Sequence, residues 1–221
     1  MESERDNQAY GKNYGAHRPG ITSQEMADYY SNWAKSGDYE KDLCPGRYNG
    51  PTICAQALAD HYKENRETVK ILDVAAGTGF LGEQLTKLGF RNLDALDPAQ
   101  GMLDVAKEKG IYHRLVCDFL GPNQLDIDKD SYDCAAIAGG MGEGHIPYKG
   151  LDELIRIVKQ GGLICIVMRE EYLSTVEEYR GNLEKHMQSL VDSGKWARIS
   201  RNVVPNYSFN KNGVVFKYRV C

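Results

Sequence analysis

From Val69 onward the chain alternates short apolar runs with amphipathic segments closed by glycine, a pattern that admits few folds. "VKILDVA", "NLDALD", "YHRLVCD", "YDCAAIAGG" and "LICIVM" read as buried strands. Between them "FLGEQLTKLG", "AQGMLDVAKEKG" and "LDELIRIVKQGG" read as helices with glycine stops. Strands without polar alternation are covered on both faces, which implies an α/β fold with a doubly wound parallel sheet. The ending differs. A long helix is expected over about residues 172–193, followed by two strand-like runs around a turn with Asn210, Asn212 and Gly213. The expected sheet therefore has seven strands, mostly parallel, with an antiparallel C-terminal hairpin strand.

Ahead of the sheet, residues 1–20 are rich in glycine, asparagine and charge, and read as a mobile segment. Residues 21–66 read as a helical lid or cap. Its first helix, capped by Thr22 or Ser23, carries Met26, Tyr30 and Trp33 on one face, and Pro51 opens the second. Residues 67–221 form the main domain.

The stretch "DVAAGTGFLGEQL" contains a G-x-G-x-x-G at Gly77, Gly79 and Gly82, a pattern associated with pyrophosphate at a helix N-terminus. Asp97, closing the second strand, can accept from both ribose hydroxyls of an adenosine, and does not separate a dinucleotide from other adenosyl cofactors. Asp73, four positions before Gly77, does separate them. A carboxylate there is unwelcome beside phosphates and suits a ligand with an ammonium group. The one Y-x-x-x-K, Tyr207 to Lys211, lies in the terminal hairpin rather than on a helix, so no hydride-handling pair is evident. These features favour S-adenosylmethionine (SAM), with its amino-acid head and sulfonium, over NAD.

"ILDVAAGTGF", "LDALDPAQGMLDVA", "LVCDF", "YDCAAIAGG" and "GGLICIVM", in this order and spacing, resemble the motif series of the class I SAM-dependent methyltransferases. The resemblance covers roughly residues 22–221 and implies a Rossmann-like sheet. "YDCAAIAGGMGEGHIP" and the late "SGKW" region further resemble the methyltransferase-like family of the Williams–Beuren syndrome critical region. The resemblance implies that Asp73 meets the methionine ammonium through water. It implies close backbone approach at Ala75, Gly77, Thr78 and Gly79, and that Asp97 holds the ribose. Pro98 and Met102 would pack the adenine, Asp118 and the Phe119 N–H would bond it, and Ala138 and Gly139 would line the sulfonium region. Ala76 stands where relatives often carry Cys or Gly.

Methyl transfer is an in-line displacement to which the protein contributes mainly positioning and desolvation. A general base is needed only where the acceptor must lose a proton. "GGMGEGHIP" follows the fourth strand, at the sheet edge where such folds bind ligands. His145 is the base candidate there, with Glu143 second or as counter-charge for a cationic substrate. The strand end lacks the Asp/Asn-Pro-Pro-Tyr/Phe of amide and exocyclic-nitrogen methylation. The fifth strand ends "MREE" without an Asp-Asn pair, so no metal is expected. Tyr29, Tyr30, Trp33 and Tyr39 crowd the lid. Aromatic faces attract sulfonium groups, and Trp33 and Tyr39 are expected at the cofactor.

The expected activity is SAM-dependent methylation of a small-molecule nitrogen or oxygen. A cofactor-binding partner without turnover is the alternative, and an NAD oxidoreductase a remote one. The formal net charge of -4 argues against nucleic acid as a partner, six basic residues after residue 194 notwithstanding. No run approaches a membrane span, and the six cysteines form no C-x-x-C pair. A cytoplasmic protein is expected. Its oligomeric state is not legible.

Overall fold

The computed structural model describes residues 2–221. Its helices are α1 (Glu2–Gly15), α2 (Ser23–Lys35), α3 (Tyr39–Asp42), α4 (Gly50–His61), α5 (Phe80–Lys87), α6 (Gln100–Glu108), α7 (Gly150–Ile157), α8 (Tyr172–Thr175) and α9 (Leu183–Asp192). Its strands are β1 (Lys70–Val74), β2 (Asn92–Leu96), β3 (Arg114–Val116), β4 (Tyr132–Ala138), β5 (Val158–Arg169), β6 (Trp196–Ser208) and β7 (Lys211–Val220). The strands form one sheet in the order β3-β2-β1-β4-β5-β7-β6. β1 to β5 run parallel, while β7 is antiparallel to both β5 and β6. The chain winds outward in opposite senses from β1 and β4. The crevice for a ligand lies at the carboxyl ends of those strands.

The continuous apolar strands bury both faces. On β1, Ile71 joins a cluster with Cys54, Leu58, Leu85, Cys134 and Cys165 beneath α4 and α5. Its neighbour Leu72 points the other way, into a cluster with Ile137, Leu151, Leu154, Ile164 and Trp196. Two cores on opposite faces follow directly from period-two geometry in a strand whose neighbouring apolar residues point to opposite sides.

Several local expectations differ from the structure. Met1 lies outside the described residues, but the rest of the segment read as mobile begins with helix α1, whose Ala9 is fully buried; Ala16 just beyond it is fully buried too. Lys12 pairs with Asp38 and Asp42, and Tyr10 packs edge-on to Phe209. The helix's inward contacts are small or polar, which is why it has no apolar period. The helix expected over 22–43 breaks after Lys35, where Gly37 has φ +70°, and resumes as α3. Thr22 caps α2 in a full capping box with Glu25. The long helix near 172–193 is likewise split into α8 and α9, with Gly181 at φ +71° just before α9. Helix α7 ends at Ile157, and the "VKQGG" read as its last turn is extended and opens β5. The hairpin turns at Phe209 and Asn210, both with positive φ, earlier than the Asn212-Gly213 pair.

The lid docks on the sheet layer through Gly101 on α6. A Cβ there would lie 2.7 Å from the Ser31 carbonyl oxygen, so glycine permits the two helices to touch. The Gly101 N–H also donates to Ser31 Oγ at 3.3 Å.

Candidate active site

A cavity opens over the carboxyl ends of β1, β2, β4 and β5, with about 1260 Å³ of empty space including its mouth. Its floor is the loop after β1. Ala75 and Gly77 adopt left-handed φ of +56° and +57°, which turn the backbone sharply up against the cavity. Asp97, just past β2, locks this loop: Oδ2 accepts the Gly77 N–H and Oδ1 the Ala99 N–H, both at 2.8 Å. Burial pushes its carboxyl up to about 6 against the pull of those two donors. Two hydrogen bonds leave acceptor capacity on both oxygens.

Along one side stand Pro98, Met102, Asp118 and Phe119. Here the Phe119 N–H, expected to be offered to a ligand, donates to Asp118 Oδ1 at 2.7 Å. The two groups expected at an adenine thus bond one another; the Phe119 N–H is engaged, while the Asp118 carboxylate keeps acceptor capacity. At the β4 end, Ala138 and Gly139 line the cavity, Gly139 at φ +82°. Over them lies the Tyr48 ring, whose hydroxyl donates to the Ala138 carbonyl at 2.9 Å, with Tyr207 edge-on behind it.

The lid supplies the roof. Tyr39 and Tyr30 line the cavity, whereas Trp33 does not. It packs behind them, 5.0 Å from the Tyr39 ring and stacked on Tyr30, with its Nε1–H donated to Asp42. Asp73, Thr78 and Gly79 also lie off the wall. Asp73 is 1% exposed beneath the loop and accepts from the Tyr112 hydroxyl at 2.6 Å. Burial raises its carboxyl to about 7 despite that bond. Gly79 and Gly82 leave room for the Tyr112 ring, not for a ligand; a Cβ on Gly79 would be 3.1 Å from it. Thr78 is buried, its hydroxyl without a hydrogen-bond partner among the described residues.

His145 lines the cavity with both nitrogens engaged. Nδ1 lies 2.7 Å from the Glu143 carbonyl, which can only accept, so Nδ1 carries the proton. Nε2 is then the acceptor and takes the Tyr30 O–H at 3.1 Å. Burial lowers this imidazole to about 4, so it is neutral at pH 7. The Glu143 carboxylate is off the wall and accepts the Gly20 N–H. It offers no counter-charge inside the cavity.

Several wall residues carried no signal in the sequence: Tyr48, Tyr207, Arg169, and Asn13 and His17 from the N-terminal segment. Tyr207 belongs to the Y-x-x-x-K of the terminal hairpin. In the structure Lys211 is directed to Glu171 instead, so the two do not form a catalytic pair. Among the described residues no three His, Cys, Asp or Glu side chains form a metal-holding group, and no helix is long and apolar enough to cross a membrane.

Comparison with known proteins bears on what such a cavity holds. Residues 71–162 match the methyltransferase domain family. Human methyltransferase-like protein 27 is 32% identical over 168 residues, spanning 76% of this chain and 66% of that protein. Demethylmenaquinone methyltransferase of Clavibacter sepedonicus is 38% identical over 99 residues, 44% of this chain and 40% of that enzyme. The chain thus spans less than two thirds of the length of these relatives. Among solved structures, a SAM-dependent methyltransferase from Aquifex aeolicus superposes with a TM-score of 0.59 at 21% identity, over 86% of this chain and 98% of that one.

Proposed function

The chain belongs to the class I SAM-dependent methyltransferases, and from that premise we propose that it methylates an oxygen or nitrogen of a small molecule seated beside Gly139. One observation carries the reading. Asp97 sits buried on the cavity wall, tied to the glycine loop by the Gly77 N–H and retaining acceptor capacity for a diol. A side chain at Gly77 would strain the backbone and enter the cavity, whereas one at Gly139 would strain it and collide with the Tyr48 hydroxyl. The residues present therefore suit an adenosyl sulfonium, and SAM is the cofactor the family uses.

When bound, SAM supplies a methyl group on a positively charged sulfur, ready for displacement. The chain's part is to hold and exclude. Asp97 would take the ribose hydroxyls, while Pro98 and Met102 would pack the base. Asp118 would accept from the adenine amino group with its remaining acceptor capacity. Tyr39 and Tyr30 present aromatic faces and close the roof against water, which strengthens every charge interaction inside. Asp73 works from beneath, holding the loop's shape through Tyr112. Trp33 braces Tyr39 from behind.

A proton leaving the acceptor can pass along a hydrogen-bonded pair on this wall. The Tyr30 oxygen receives it as the Tyr30 proton passes to His145 Nε2, and Nδ1–H stays on the Glu143 carbonyl. An imidazole near 4 is a weak base, so it cannot generate an alkoxide in advance. It suits acceptors whose proton departs with methyl transfer. The small-molecule reading is supported by the quinone methyltransferases among the relatives. It is tested by incubating the protein with methyl-labelled SAM and panels of small oxygen and nitrogen acceptors. Labelled product from at least one small molecule is expected; transfer only to protein or nucleic acid contradicts the reading.

A further inference from the structure

We propose that the methyl acceptor carries a carboxylate or comparable oxyanion, and that Arg169 holds it. The inference rests on the methyltransferase reading and names the substrate class of the same site. Arg169 closes β5 and is 6% exposed, yet it lines the cavity. Its Nη2 donates to Asn13 Oδ1 at 3.2 Å and Ser208 Oγ at 2.8 Å, and its Nη1 to Glu171 Oε1 at 3.3 Å. Its Nε–H is buried with no partner among the described residues. A buried guanidinium with an unmet donor is costly unless something completes its shell.

The surroundings do not complete it. Glu171 is about a third exposed and shares its charge with Lys211 Nζ, 3.2 Å away. The rings of Tyr172 and Tyr10 lie 5.2 and 6.0 Å from the guanidinium carbon, which stabilises a cation without accepting its in-plane N–H. His17, on the same wall, is pushed well below its ordinary pKa, first by burial and then by His145, so it adds no positive charge at pH 7 and no negative one. The Glu143 carboxylate is engaged with Gly20 outside the cavity. Arg169 is therefore the charged side chain that this end of the cavity presents, its partner Glu171 standing off the wall, and a guanidinium there repels protonated amines and attracts an oxyanion.

Position distinguishes this end from the cofactor's. Gly139 donates its N–H to the Val167 carbonyl at 3.0 Å, so Arg169 stands just beyond the β4 end, on the side away from Asp97. β1 and β4 lie between β2 and β5, which separates Arg169 from Asp97 by three strand spacings, about 14 Å. Asn13 and Ser208 fix the guanidinium from α1 and β6, so the N-terminal helix takes part in the acceptor's side of the cavity.

The cofactor's own carboxylate is the competing source of the same chemistry, and the test separates the two. Wild-type protein saturated with S-adenosylhomocysteine is titrated by calorimetry with para-hydroxybenzoate and lactate, and with para-hydroxybenzamide and lactamide. At least one acid is expected to bind about tenfold or more tightly than its amide, the value of one charge-assisted hydrogen bond. Arg169→Gln should erase that preference while its Kd for S-adenosylhomocysteine moves by less than about threefold. Arg169→Lys, which keeps the charge but not the planar fork, should retain part of it. If neither acid outbinds its amide on the wild-type protein, the proposal is overturned however the variants fold. If Arg169→Gln instead weakens S-adenosylhomocysteine by about tenfold, Arg169 serves the cofactor and the proposal is equally overturned. Failure of the wild-type protein to bind S-adenosylhomocysteine would remove the underlying reading, and this inference with it.

Discussion

The Tyr112 hydroxyl donates a 2.6 Å hydrogen bond to the Asp73 carboxylate beneath the glycine loop. Gly79 and Gly82 exist in this chain to admit that ring. The third glycine of the G-x-G-x-x-G is thus explained by a tyrosine far along the chain, not by a phosphate. Tyr112→Phe leaves a buried carboxyl without its side-chain donor, and urea unfolding should report a loss of about 1–3 kcal/mol. Because Asp73 is off the cavity wall, affinity for S-adenosylhomocysteine should change little. A large loss of affinity in a folded Tyr112→Phe protein would mean that Asp73 reaches the cofactor through water.

The lid depends on the close contact between Gly101 and Ser31. Gly101→Ala places a Cβ 2.7 Å from backbone and must push α2 off α6. Hydrogen exchange over residues 22–43 should accelerate in the variant and should slow in the wild-type protein when SAM is added. Equal protection of this segment with and without SAM would contradict its role as a roof.

His145 makes a pH prediction with a definite direction. Its folded-state pKa, about 4, lies below the ordinary histidine value, so the unfolded chain binds the extra proton first as pH falls. Stability from this group is full above about pH 6.5 and is lost as pH drops toward 4, by at most about 3 kcal/mol. The buried carboxyls at Asp73 and Asp97, raised to about 7 and 6, act in the opposite sense, favouring the fold as pH falls from 7 toward 4. The comparison that isolates the histidine is therefore wild type against His145→Gln across this range: the variant should lose less stability in acid. Methyl transfer, for its part, should show no limb near 6.5 arising from His145. Tyr30→Phe should lower kcat by about a hundredfold or more, the scale of general-base assistance, for an acceptor that loses a proton. It should leave rates nearly unchanged for one that does not.

Much of this architecture is legible in the sequence. The parallel strands announce themselves because burial on both faces removes polar positions, as at Ile71 and Leu72. Asp97, Gly77 and Gly139 are readable because local backbone geometry demands those residue types at strand ends. The acceptor side was not readable. Arg169 comes from β5, Tyr207 from β6, and Asn13 and His17 from the N-terminal segment, and only the tertiary fold brings them together. Helix α1 was missed for a related reason: it docks through alanine, asparagine and ion pairs, so it shows no apolar stripe. Trp33 illustrates the reverse error, an aromatic at the right place in the sequence whose ring braces the wall from outside.

Asp97 as the anchor of an adenosyl cofactor on the glycine loop is checked by calorimetric titration of the wild-type and Asp97→Ala proteins with S-adenosylhomocysteine and with NAD. The wild-type protein is expected to bind S-adenosylhomocysteine and not NAD, and Asp97→Ala, still folded, to bind about a hundredfold more weakly for two lost charge-assisted hydrogen bonds. Binding of NAD in preference to S-adenosylhomocysteine, or undiminished binding by Asp97→Ala, would contradict it.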